Sequence, residues 1–196
     1  MPAVPRHRQP IVNAAVTLFR RQGFAHTALN DIVDHSGAPK GSLYHYFPQG
    51  KASIAVAAVE EAGSRVVATL ERLATECDST GDLLRAHARL LAGWMRETGF
   101  SSACPITAVL LELAPRERAV ADAGRKAYAA RLSILSRKLV ADGFAKARAD
   151  ALAVLCTSSL QGALIQARAE RSGRPIEVTA AELAQLLEME TKNRSP

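Results

Sequence analysis

In the stretch KGSLYHYF, residues 40–47, a lysine, a glycine and a serine precede two tyrosines, a histidine and a phenylalanine, and a second lysine follows at Lys51. These residue types suit recognition. Lys40 and Lys51 carry positive charge, Tyr44 and His45 add donors with reach, and Gly41 and Ser42 are small enough for a backbone to come close to another molecule. Together they fit the phosphates and base edges of a nucleic acid. Three of the chain's eight Phe and Tyr residues lie in these eight positions. Tyr46 is as compatible with core packing as with contact, and His45 or Lys51 alone would read as ordinary surface residues.

Bond-making chemistry has few candidates. His87 is the sole histidine beyond residue 51, and no nucleophile motif surrounds any serine or cysteine, so an enzyme using the body of the chain is the weaker reading. Cys77, Cys104 and Cys156 are widely spaced, with no CxxC or Cys/His cluster. That argues against a disulfide framework or a zinc site, fits a reducing cytoplasm, and leads us to expect neither metal nor cofactor. The opening MPAVPRHRQP has charge and proline where a signal peptide needs an apolar run, and no stretch of about 18 apolar residues is present to span a membrane.

The formal charge is +6 over 196 residues, unevenly distributed. Residues 1–51 hold six Lys or Arg against two Asp, and the remainder nineteen against seventeen, so the first quarter carries +4 of the excess. A basic module on a nearly neutral body points to a polyanion partner for the module and another role for the body. With 48% apolar and 22% charged residues, the chain has the composition of a globular protein.

Apolar residues recur at helical spacing almost throughout, and no run alternates with period two, which predicts an all-α fold. Ile11, Ala15, Leu18 and Phe19 form the stripe of a first helix that Gly23 ends. Thr27 is placed to cap a second helix carrying Leu29, Ile32 and Val33, ending at Ser36-Gly37. Pro39 fits the first turn of a third. Six more helices are expected over residues 51–75, 83–97, 106–113, 117–142, 148–171 and 179–190. This predicts a small DNA-binding domain, residues 1–50, followed by a larger helical domain, residues 51–196.

In the third helix, a phase of 100° per residue sets Leu43 beside Phe47 and puts Gly41, Ser42 and His45 on the opposite side. Two short helices joined by a tight turn at Gly37, with the second offering small and polar residues outward, make a helix-turn-helix. TALNDIVDHSGAPKGSLYHYFPQGK, residues 27–51, resembles the TetR family of bacterial transcription regulators. The resemblance implies phosphate contacts from Thr27, Tyr44 and Lys51, with Lys40, Gly41, Ser42 and His45 in or near the groove. Pro39 departs from the pattern, which usually has a serine or threonine cap there.

Beyond residue 50, Trp94, Met95, Phe100, Leu110, Tyr128 and Leu135 set bulky apolar groups on several helices, as either a cavity wall or a plain core would require. Gln161, Ser158 and Ser159 are polar within an apolar helix and need partners if buried, which a ligand, water or a second subunit can supply. Residues 148–171 are apolar nearly all round, so one side can meet the core and the other a partner chain; with residues 179–190 they are expected to form a four-helix homodimer interface, as the family resemblance also implies. A two-fold dimer of this kind would read a palindromic operator. SSACPITAVLLE, residues 101–112, resembles the LmrA/YxaF-like subgroup. That finer likeness implies a repressor released by a small, largely apolar effector, with Cys104 lining the pocket, sensing oxidants or, as is more frequent for such a residue, standing as an inert buried thiol. A non-specific nucleoid protein is the alternative that binds DNA without sequence choice.

Overall fold

The computed structural model describes residues 6–102 and 104–192. These form nine helices and no strand: α1 (Arg8–Gln22), α2 (Leu29–Ser36), α3 (Lys40–Tyr46), α4 (Lys51–Glu76), α5 (Thr80–Glu97), α6 (Pro105–Leu113), α7 (Arg118–Ala141), α8 (Lys146–Glu170) and α9 (Arg174–Lys192). The all-α expectation holds, and most helix boundaries fall within a few residues of those the periodicity predicts.

The chain divides into two compact units that interleave in sequence. One comprises residues 1–65 with 103–127, the other residues 66–102 with 128–196. Consequently α4 and α7 each contribute to both.

In the first unit α1 is the central element, packing on α2, α3 and α6 through a face that buries Ile11, Ala15, Leu18 and Phe19. It stops at Gly23, whose φ of 82° suits glycine and whose N–H donates to the Phe19 carbonyl at 2.9 Å. Gly37 closes α2 in the left-handed region at φ 63°. Two predicted starts are corrected. Thr27 does not cap α2; Ala28 takes that place, and its N–H donates to the Asp31 carboxylate at 2.8 Å. Pro39 precedes α3 as its cap, its carbonyl accepting the Ser42 N–H at 2.8 Å. In the same unit a Cβ at Gly63 would lie 2.8 Å from the Ala127 Cβ, so α4 and α7 meet there almost backbone to backbone.

In the second unit α5 packs along α9 and touches α8, which also packs on α9. Leu83, Leu84, Met95, Leu139, Leu152 and Ile176 are among the fully buried side chains. Ser79 caps α5, its hydroxyl accepting the Asp82 N–H at 3.1 Å. The last helix starts five residues before the predicted Thr179. SGRP reads as a break, yet Pro175 occupies the first turn, where no N–H is needed, and the Gly173 carbonyl accepts from Ile176 and Glu177.

Candidate functional site

α3 has only seven residues, below the roughly 12–15 at which an isolated helix persists, so packing must hold it in place. Leu43 and Phe47 are buried, as the helical phase predicts, and each such side chain contributes on the order of 2 kcal/mol. The Arg8 guanidinium covers the Phe47 ring at 5.6 Å. With this side fixed, Lys40, Gly41, Tyr44 and His45 are exposed and Ser42 is half-buried. Nothing lies within 4 Å of the space a Cβ on Gly41 would fill, and Tyr44 is 50% exposed. The His45 and Tyr46 rings meet edge to face at 4.9 Å. Five of the seven predicted DNA-contacting residues thus share one short helix with an open side.

Lys51, on the first turn of α4, lies half-buried against the α1–α2 turn. Its Nζ stands 4.2 Å from the Phe24 ring centroid and donates to the Ala25 carbonyl at 3.4 Å. Burial lowers its pKa from the ordinary lysine value, while the charges of Glu112 and Asp31 act in the opposite direction. Thr27 differs from expectation. It is fully buried, and its hydroxyl donates to the Gly23 carbonyl at 2.7 Å, so the side chain knits the turn and presents no surface for a phosphate. The spacing gave no sign of Glu112. From α6 its carboxylate accepts the N–H groups of Phe24 at 2.8 Å and Ala25 at 2.7 Å.

The predicted effector residues are divided between the two units. Met95 and Leu135 are buried in the core of the second unit. Trp94 is half-buried on α5. Phe100 adopts φ 60°, rare outside glycine, with its N–H donating to the Met95 carbonyl at 2.8 Å. Cys104 and Leu110 belong to the first unit: Cys104 precedes α6, and Leu110 fills a notch at Gly124 on α7, where a Cβ would come within 2.5 Å of it. Tyr128 and Gln161 do come together, lining a cleft of about 410 Å³ between α7 and α8 with Leu132, Val154, Thr157 and Ser158. Thr157, Ser158 and Gln161 follow helical spacing on α8, as Tyr128 and Leu132 do on α7, which is the signal that marks them as one wall. The Thr157 hydroxyl is buried there without a hydrogen-bond partner.

His87 is buried on α5 beside Arg131. Among the described residues no group of His, Cys, Asp and Glu is arranged to hold a metal ion, and no helix is long and apolar enough to cross a membrane.

Two family models match the chain, one over its N-terminal helices and one over most of the rest. Residues 11–58 match the bacterial regulatory proteins of the tetR family, and residues 81–182 match the C-terminal domain of LmrA/YxaF-like transcriptional regulators. The chain is 36% identical over 193 residues to an uncharacterized HTH-type transcriptional regulator of Mycobacterium tuberculosis, covering 96% of this chain and 97% of the relative. It is 27% identical over 169 residues to the HTH-type transcriptional regulator LmrA of Bacillus subtilis, covering 86% of this chain and 90% of that one. In fold it is similar to the crystal structure of regulatory protein TetR from Rhodobacter sphaeroides, at a TM-score of 0.80 and 21% identity, covering 91% of this chain and 97% of that one.

Proposed function

Because the chain belongs to the TetR family of bacterial regulatory proteins, in its LmrA/YxaF-like branch, we propose that this DNA-binding transcriptional regulator is a homodimeric repressor released by a small ligand. Its two α3 helices would enter successive major grooves of a palindromic operator, half-sites standing about one helical turn apart or a multiple of it. The observation that carries this reading is the open side of α3: Gly41 has empty space over it, and Tyr44 stands out while Leu43 and Phe47 anchor the helix. Lys40, Ser42, Tyr44 and His45 would meet the groove and its walls, with Lys51 gripping phosphate.

Support for pairing comes from α8 and α9. Ala151, Val154, Ser158, Gly162, Ile165 and Ala169 are all exposed and follow one another at steps of three or four, a stripe along most of α8. Val178 and Met189 are exposed on α9. Apolar side chains so arranged fit a second copy of the chain. The effector would enter the cleft of Tyr128, Leu132, Val154, Thr157, Ser158 and Gln161, which is apolar in the main and offers the Thr157 hydroxyl as a polar anchor. A ligand that favours one conformation of the second unit shifts the dimer away from the DNA-fitting one through α4, which contributes to both units.

Gel-shift and anisotropy measurements on duplexes from the protein's own upstream region test this. We expect salt-sensitive, sequence-selective binding, and Lys51→Ala should weaken it on every sequence alike while reducing the salt slope by about one per head. Binding that is indifferent to sequence would overturn the repressor reading in favour of a nucleoid protein.

A further inference from the structure

The turn that supports Lys51 is held from outside the helix-turn-helix. One carboxylate, Glu112 on α6, accepts two consecutive backbone N–H groups, Phe24 at 2.8 Å and Ala25 at 2.7 Å. The approach is close enough that a Cβ on Gly23 would lie 2.7 Å from Glu112 Oε1. A carboxylate has acceptors on both oxygens and can satisfy this pair, whereas an amide would set an NH2 against one of the two donors. The same two residues support Lys51: Nζ rests on the Phe24 ring and bonds the Ala25 carbonyl.

We propose that Glu112 is a positioning residue for DNA binding, clamping the Phe24 and Ala25 amides and so setting where the Lys51 ammonium meets a phosphate. The inference rests on Lys51 being a phosphate contact. It also makes a prediction of unusual sign. Deleting a negative charge from a protein that binds a polyanion ordinarily tightens binding, by removing repulsion. Glu112→Gln, which deletes one, should weaken it, because the turn and Lys51 lose their register.

The test uses the full-length protein, a mixed-sequence duplex of about 30 base pairs, roughly three helical turns, and affinities measured across a salt series. Glu112→Gln is expected to lower affinity about three- to tenfold and to reduce the salt slope by about one per head, as Lys51→Ala does. The double variant should be no weaker than Lys51→Ala alone, since the two changes remove one contact. Glu112→Asp keeps the charge but loses reach, and should weaken binding similarly; it serves as the probe if the glutamine variant fails to fold by circular dichroism. Affinity for Glu112→Gln equal to or above the parent overturns the inference, as does a loss that leaves the salt slope unchanged or adds fully to that of Lys51→Ala. An unchanged slope in Lys51→Ala overturns the underlying phosphate contact, and the inference with it.

Discussion

His87 lies inside the second unit, where burial first and the nearby Arg131 charge second disfavour its protonated form and hold its pKa at about 3 instead of 6.5. Between those two pH values the unfolded chain takes up a proton that the folded chain refuses. Stability contributed by neutral His87 is therefore complete above about pH 6.5 and falls as pH drops below it, by about 1.4 kcal/mol per pH unit. Urea unfolding at pH 7 and pH 5 should show the parent losing about 2 kcal/mol more than a His87→Gln variant; equal losses would mean that His87 titrates normally in the fold. Other residues differ in how openly the sequence declares them. Leu43 and Phe47 were legible because 100° phasing leaves a short helix one way to face its core. Thr27 was not, because a threonine before a helix has two local options, capping forward or bonding back to the carbonyl four residues earlier, and here it took the second. Met95 and Leu135 were unreadable as pocket or core for a similar reason: a bulky apolar residue gives the same pattern in either place.

At the scale of helices, spacing predicted all nine elements, and the differences concern their ends. α9 began early because proline, a breaker inside a helix, is welcome in its first turn. What periodicity cannot convey is which helix lies against which, and glycines decide some of those contacts. Gly63→Ala would push a methyl to within 2.8 Å of the Ala127 Cβ, where neither helix has a flexible side chain to move aside. We expect a loss of about 1–3 kcal/mol in thermal or urea unfolding. Gly93→Ala on α5 should have the opposite sign, since nothing lies within 4 Å of the new methyl and alanine is the better helix former by about 1 kcal/mol. Two variants that shift stability together would refute the close α4–α7 approach at Gly63.

For the whole molecule, the exposed stripe of α8 is where the proposed pairing can be broken without disturbing the interior. Ile165 is 61% exposed and lies outside the cleft lining. Ile165→Glu would place two carboxylates in a desolvated two-fold interface, so sedimentation should show a monomer with the parent's helicity, and operator affinity should fall by at least tenfold. An unchanged sedimentation coefficient would exclude this face. The first unit also bears on how such a regulator can be recombined. Its contiguous N-terminal part is completed by residues 103–127, including the Glu112 that clamps the α1–α2 turn. A chimera joining residues 1–58 to a foreign body would keep α1 to α3 but leave behind the carboxylate that ties down the turn between the first two, so we expect a graft that carries residues 103–127 as well to unfold at a higher temperature than one that does not.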